Sequence, residues 1–420
     1  MCESPTKETT TLKLDSDSAA IPSVSFPAGL VVKPRPTGPK SYVVRSLEFT
    51  AVCYWVTGFL FLGISCLIIF LFLLCVIIKH ISLLVLFTVG VPERDGGMRI
   101  DSEQYLMETV YTTILLLFVT SYLYYWHCDA GAEDRGSHPW RRIRYWGLWN
   151  RMANYFPVNL VLSEELLNSD HIVCVSRGQN LQNSSFGGLP KNMNYLVGYH
   201  PHGVFSTGAF VNFMTEATGF STAFPGLTPW LAVLKAHFKS PFYRDYLMSF
   251  GITAATKKGL LYLLEAKKNG TGNFVVVVVG GAPEALEAQP GQYRMVIHKR
   301  YGFFKLAVQT GCCLIPCVSF GEQRMYKQLP NEPGSWIRRF QDWVTQLSTF
   351  APPLFYARGP FPYRTPVNTV VGAPIPCEKI PEPTYDQVMQ VKWRYLESLQ
   401  RLFRRYKAVY DPDAHDIEFI

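Results

Sequence analysis

The sequence predicts an α/β protein whose central sheet, mixed or parallel, stands behind an N-terminal transmembrane helical hairpin. Three observations predict it. Ala51–Ile78 contains no charged residue and exceeds the roughly 20 apolar residues that cross a hydrocarbon core. Asn273-Phe-Val-Val-Val-Val-Val279 is an apolar, β-branched run ended by Gly280-Gly281, the pattern of a strand buried on both faces. Beyond residue 150, such runs alternate with stretches of helical period, the order of βα units.

Composition narrows the class. Of 420 residues, 48% are hydrophobic and 17% charged, against about 25% charged in ordinary soluble domains, which excludes a mainly disordered chain. Forty Lys+Arg against 32 Asp+Glu give +8, a surplus that suits an anionic membrane surface or a phosphorylated substrate as well as nucleic acid. The ten cysteines include no C-x-x-C pair and an adjacent Cys312-Cys313, so we expect reduced thiols in a reducing compartment rather than a disulfide framework.

In chain order, residues 1–46 are rich in Ser, Thr, Pro and Lys without an apolar period, and we expect a disordered cytosolic tail whose removal to residue 40 leaves the rest folded and active. Residues 47–128 form the hairpin region. Ala51–Ile78 is its first span, Lys79-His80 interrupts the run, Ile81–Pro92 is a further apolar stretch, Glu93–Glu108 a polar loop and Thr109–Trp126 the second span. Trp140-Arg-Arg-Ile-Arg-Tyr-Trp146 follows. Cations among aromatics beside a span mark the cytoplasmic face better than a nucleic-acid patch, and two spans then put both termini in the cytosol.

Residues 129–420 form the globular domain. Strands are expected at Asn194–Tyr199, Asn273–Val279 and Leu314–Phe320, and helices at Val204–Ala217, Lys257–Lys268, Phe303–Gln309 and Tyr385 to about Lys407. The last of these puts Leu396, Leu399, Leu402, Phe403 and Tyr406 on one face, which suits core packing.

Three blocks carrying chemistry follow strands. Tyr199-His-Pro-His-Gly203 sets two imidazoles about a proline, which fixes its own φ and restricts the residue before it. Neutral histidine is suited to taking a proton from an alcohol near pH 7. One of the pair is expected to hold the turn. Without an H-E-x-x-H or cysteine partner, neither reads as a metal ligand. In Gly280-Gly-Ala-Pro-Glu284 the acid is either a charge at a helix N-terminus or an orienter of histidine, as in a triad. Arg300 could pair with phosphate. Ser319-Phe-Gly-Glu322 offers a hydroxyl without the G-x-S-x-G elbow. The phosphate-binding glycine loops are absent from the sequence, leaving nucleotide chemistry without support.

Taken in order, Tyr155-Phe156-Pro157, His200-Pro201-His202-Gly203, Phe224-Pro225-Gly226, Gly280-Gly281 with Glu284, Arg300 with Gly302-Phe303, and Pro316 with Ser319-Phe320-Gly321-Glu322 resemble the motif blocks of the type-2 diacylglycerol acyltransferase family, which includes monoacylglycerol and wax-alcohol acyltransferases. The chain departs from that pattern at Ala282-Pro283 and in the length of its hairpin.

The resemblance implies a membrane-anchored acyltransferase of the endoplasmic reticulum that moves an acyl group from acyl-CoA to diacylglycerol, making triacylglycerol. Monoacylglycerol or a fatty alcohol is the alternative acceptor. It implies His202 as general base, Glu284 as the group orienting and stabilising its imidazolium, and His200 holding the turn or aiding the oxyanion. It implies substrate contacts from Tyr155, Phe156, Pro157, Gly203, Gly280, Gly281, Arg300, Gly302, Phe303, Ser319, Phe320, Gly321 and Glu322, and neutral-lipid contacts from Phe59, Leu60 and Leu62. Acyl-CoA is then a co-substrate and no cofactor or metal is expected. Acylglycerols and membrane lipids are the partners, without nucleic acid. Lipid-droplet association and a homo-oligomer are compatible with it. Two rivals are a membrane esterase using Ser319 and a non-catalytic hairpin protein of lipid droplets.

Overall fold

A computed structural model describes residues 25–26, 29–36, 38–89, 102–169, 189–330, 334–348 and 354–420. Helix α1 (Tyr42–Thr57) runs through a π-helical turn, Gly58–Leu62, into α2 (Gly63–Val89), and α3 (Ser102–Cys128) returns beside it. Both rods are long and apolar enough to cross a membrane. They meet through Phe70, Ile77 and Val119, while Ile64, Ile68, Phe72, Leu117 and Tyr124 stay exposed. Lys79-His80 does not break the helix: His80 Nδ1 lies 2.7 Å from a Glu108 carboxylate oxygen on α3, so His80 has a polar partner on the neighbouring helix. Ser102–Glu108, expected in a loop, are the first turns of α3. Most of the expected loop, and the end of the Ile81–Pro92 stretch, lie outside the described residues.

The globular part is built on a nine-stranded sheet. Its strands are β1 (Ser25–Phe26), β2 (Gly29–Val31), β3 (Val158–Leu162), β4 (Tyr195–His200), β5 (Thr228–Val233), β6 (Ile252–Ala254), β7 (Asn273–Val278), β9 (Cys313–Phe320) and β12 (Val367–Val371), in the order β1-β2-β3-β12-β9-β4-β7-β5-β6. The short β8 (Tyr293–Met295) pairs with β13 (Ile417–Phe419), and β10 (Lys327–Gln328) with β11 (Phe355–Tyr356). Strands β9, β4, β7, β5 and β6 are mutually parallel; β12 runs against β9. The sheet is therefore mixed.

Side chains alternate between the two faces, as the strand period demands. Tyr195, Val197 and Tyr199 of β4 enter one core with Phe274 and Val276 of β7, against α1 and α4 (Gly147–Tyr155). Leu196 and Val275 enter the other. That second core is roofed by α5 (Lys257–Leu264), a helix α7 (Tyr301–Thr310) and α9 (Tyr385–Tyr410). The expected face of α9 packs inward, lengthened by Val388, Val391 and Tyr395, and Thr384 with Gln387 forms a capping box at its start.

Two corrections concern boundaries. The expected helix Lys257–Lys268 stops at Leu264 and restarts at Ala266. The expected tail ends well before residue 46. Leu30 and Val31 pair antiparallel with Leu162 and Val161, and Val31 is buried. Arg35 donates to Val158 O at 2.9 Å and Ala217 O at 2.8 Å, and Lys40 reaches Glu48 at 2.6 Å. A short apolar strand among Ser and Pro leaves too little period to be read, yet the edge of β3 fixes it.

Candidate active site

Because β9, β4 and β7 are adjacent and parallel, three of the sequence blocks emerge together at their carboxyl ends, where open α/β sheets place ligands. His200 ends β4, Gly280-Gly281 follow β7 and Gly321-Glu322 follow β9.

The two histidines divide sharply. His200 is wholly buried. The Tyr395 hydroxyl donates to Gly198 O at 3.2 Å, so His200 Nε2–H must donate to that hydroxyl oxygen at 3.0 Å. Its Nδ1 is left buried without a hydrogen-bond partner. Desolvation holds this imidazole neutral, lowering its pKa to about 3. His200 holds the turn from beneath.

His202 is half-buried at the site. Its Nδ1 lies 2.9 Å from Gly203 O. A carbonyl only accepts, so Nδ1 carries the hydrogen, and the neutral ring presents an Nε2 lone pair. Nε2 has no hydrogen-bond partner among the described residues. Desolvation chiefly, with the nearby Arg300 cation, lowers the His202 pKa from its ordinary value, against the opposing pull of Gly203 O. The neutral ring is a base whose acceptor nitrogen is unpaired among the described residues.

Glu284 departs from the triad expectation. It lies in the helical turn α6 (Gly281–Ala285) and is fully buried. Its Oε1 accepts the His202 backbone N–H at 2.6 Å and its Oε2 the Val296 N–H at 2.8 Å. It grips the peptide that carries His202 rather than the imidazole. Burial pushes its carboxyl up to about 7, opposed by the two N–H donors and by Arg300. A Cβ at Gly280 would fall 2.0 Å from a Glu284 carboxylate oxygen, so the glycine is required for this carboxylate to reach back.

Glu322 performs the same service further along the loop. Its carboxylate accepts from Thr207 N at 2.7 Å, Gly208 N at 2.9 Å and Tyr199 Oη at 3.0 Å. Gly203 adopts φ +61°, and a Cβ there would sit 2.5 Å from Glu322 Cγ. Ser206 completes the lock, donating to His202 O through both its N–H and its hydroxyl.

The remaining expected residues scatter. Arg300 precedes α7 and donates through Nη2 to Gly280 O, with its Nε buried and without a partner. Gly302 is exposed in the first turn of α7, and Phe303 packs on Tyr395. Ser319 is fully buried, its Oγ 3.0 Å from Thr369 Oγ1, and Phe320 stacks on Phe403 in the core. Gly321 turns the chain after β9. Phe156 is buried, Tyr155 lies under the Arg364 guanidinium at 5.1 Å, and Pro157 leads into β3. The structure thus brings His202, Gly203, Gly280, Gly281, Glu284 and Arg300 together, and puts Ser319, Phe320, Glu322 and Phe156 in the scaffold. Sequence reading missed Tyr395, which shares the buried face of α9 with Leu399 and Leu402 and was signalled by that period, and Val296, for which no signal exists.

An aromatic path joins this site to the apolar helices. Phe205, two residues beyond Gly203, lies 4.7 Å from Phe59 between ring centroids and 5.8 Å from Trp55. Phe59 sits in the π-helical turn, partly exposed, while Leu60 and Leu62 pack against the core.

The sequence has counterparts among known proteins. A family model described as Diacylglycerol acyltransferase matches residues 104–177 and 180–419. The chain belongs to that family. It is 35% identical over 385 residues to Diacylglycerol O-acyltransferase 2 of Danio rerio, covering 90% of each chain. It is 36% identical over 309 residues to human 2-acylglycerol O-acyltransferase 1, covering 72% of this chain and 84% of that one. A solved 1-acyl-sn-glycerophosphate (LPA) acyltransferase, PlsC from Thermotoga maritima, overlaps 81% of this chain and 95% of its own at TM-score 0.29 and 14% identity, too loosely to bear on the fold. The protein is an acyltransferase of lipid metabolism, and the reading of it as a non-catalytic hairpin protein is set aside.

Proposed function

We propose that this chain esterifies diacylglycerol with the acyl group of acyl-CoA at the endoplasmic-reticulum membrane, both termini lying in the cytosol. The observation that carries the chemistry is the His202 ring, neutral, with Nδ1–H paired to Gly203 O and Nε2 open. Nε2 removes the proton from the acceptor hydroxyl as its oxygen attacks the thioester carbonyl. The tetrahedral oxyanion collapses, the C–S bond breaks, and the imidazolium returns the proton to the departing CoA thiolate. The products are an ester and free CoA, and the enzyme ends unchanged. No covalent enzyme intermediate enters this sequence.

Arg300 lies close enough to depress the pKa of both His202 and Glu284. A cation so placed favours negative charge developing on the thioester oxygen and opposes a standing imidazolium. Glu284 positions the base through its backbone. The lipid acceptor reaches it along Phe59 and Phe205, with Leu60 and Leu62 completing the apolar approach, so the insoluble acceptor stays in the bilayer while CoA stays in water. Burial of Ser319 against Thr369 disfavours the esterase reading. Monoacylglycerol is the second acceptor to consider, given the similarity to the 2-acylglycerol enzyme.

Incubating membranes that carry the protein with labelled oleoyl-CoA and competing diacylglycerol, monoacylglycerol and long-chain alcohol decides among them. Labelled triacylglycerol as the main product is the expected result. A labelled diacylglycerol or wax ester in its place would move the assignment to the other acceptor.

A further inference from the structure

Between β10 and β11 the chain carries helix α8 (Trp336–Ser348). The base of this excursion is held by the β10–β11 pairing and by Leu329 N–H to Leu354 O at 2.8 Å. At about 100° per residue, Trp336, Phe340 and Trp343 fall within a sector of about 60°, and Arg338 and Gln341 lie on the far side. A surface helix of a soluble protein turns its apolar stripe inward. Here the order is reversed. Arg338 donates to a Glu287 oxygen at 2.8 Å and Gln341 is 1% exposed, while Trp336 is 77%, Phe340 52% and Trp343 59% exposed. The polar side of the helix is docked and the aromatic side faces away from the protein.

We propose that α8 lies in the surface of the lipid bilayer, with Trp336, Phe340 and Trp343 in the acyl–headgroup boundary. Three features on this chain favour lipid over a second protein surface. The helix of 13 residues is about 20 Å long, too short to span a bilayer but suited to lying on one. Exposed Arg339 flanks the stripe, and Trp with Arg is the pairing that settles at headgroup level. Finally, the ribbon that bears α8 is continuous with the apolar helices: Phe355 of β11 lies 5.0 Å from Phe205, which lies 4.7 Å from Phe59.

The same helix is tied to the site. Glu287, its docking partner, stands three residues after Glu284, and Gln328 at the ribbon's base donates to Ala288 O at 2.9 Å. A helix resting on lipid would therefore set the height of the Glu284–His202 turn above the membrane.

The inference rests on the membrane placement proposed above but not on acyl transfer, so its test reads an adduct rather than turnover. The full chain carries p-benzoylphenylalanine in place of Phe340 or Trp343, in vesicles of phosphatidylcholine and phosphatidylserine with a labelled acyl chain, and is irradiated. Phe72 on the outer face of α2 serves as the control for the span, and exposed Arg401 on α9 as the control for water. Lipid adducts at 340 and 343 several-fold above those at 401 are expected. A lipid adduct at 72 with none at 340 and 343 would overturn the inference and leave the span standing, whereas none at all three would overturn both. Covalent dimers, or cross-links from 340 or 343 to residues 1–24, would assign the stripe to a second copy or to the N-terminal segment instead.

Discussion

The Glu284 carboxylate holds His202 by its backbone, Oε1 accepting that N–H at 2.6 Å while Oε2 accepts Val296 N–H at 2.8 Å. Acid and base are coupled, as in a triad, but the coupling passes through position rather than through a shared proton. The amide introduced by Glu284→Gln offers one acceptor oxygen and turns an NH₂ group against the second donor. This variant is therefore expected to lower kcat by displacing the ring and to lower stability as well, by the roughly 1–3 kcal/mol that an unpaired buried donor costs, seen as a reduced melting temperature. Combined with His202→Ala it should reduce turnover hardly further, since a misplaced base and an absent one are alike. Losses that multiply in the double variant would show Glu284 acting on substrate separately.

His202→Ala should reduce kcat by about 10²–10⁴-fold, the contribution of a positioned general base, with the apparent KM for acyl-CoA little changed. Steady-state kinetics with varied oleoyl-CoA measure both. A raised KM at unchanged kcat would make the ring a binding contact.

The pH profile follows from the lowered His202 pKa. The base must be unprotonated, and burial with Arg300 moves its titration below the ordinary 6.5. The acidic limb that His202 contributes should have its midpoint below 6.5, while the Glu284 carboxyl, pushed up to about 7, adds a second limb that Glu284→Gln removes. Replacing Arg300 with Gln removes one depressing influence, so the midpoint should move upward toward 6.5. Initial rates of the Glu284→Gln protein, with and without the Arg300 replacement, in a constant-ionic-strength buffer series give both midpoints, and a limb centred above 6.5 once the Glu284 carboxyl is gone would contradict the placement of this ring.

What the sequence made legible was chemistry tied to local signals. The β-branched run of β7, the apolar rods and the three strand-end blocks each announce themselves within a short stretch of chain. Mutual arrangement was not legible, because it depends on strand order: β4 lies between β7 and β9 only through crossovers, and a buried Glu322 reads in sequence like any surface acid. That Glu284 reaches His202 through the backbone was illegible for the same reason. Its partner is a backbone N–H, which no residue type advertises. Strand β12 escaped because Val367-Asn-Thr-Val-Val371 is only five residues, set between Pro366 and Gly372, whereas β2 is fixed by the edge it adds to.

Beneath the turn, Tyr395 answers two groups at once, donating to Gly198 O and accepting from His200 Nε2. Tyr395→Phe keeps the ring packed on Phe303 and Phe304 but leaves His200 Nε2–H unpaired in a fully buried place, while Gly198 O stays within the β4 ladders. A loss of about 1–3 kcal/mol is expected from the unpaired donor. Thermal unfolding of the detergent-solubilised protein should show it, and an unchanged melting point would mean that water reaches His200.

The N-terminal boundary yields the last prediction. Removing residues 1–24 leaves every described contact in place, and activity and melting temperature should be retained. Removing residues 1–40 takes away β2, with the burial of Val31 worth about 1.5–3 kcal/mol, and both carbonyl contacts of Arg35. It also strips Glu48, which is 1% exposed, of its Lys40 partner, leaving it to Arg364 alone. Against a typical domain stability of about 5–15 kcal/mol, these losses together are large. The longer deletion should therefore lower protein abundance and melting temperature before it changes kcat per folded molecule. A 1–40 deletion as stable as the intact chain would show that β3 tolerates a free edge and that residues 29–40 are held by the domain without supporting it.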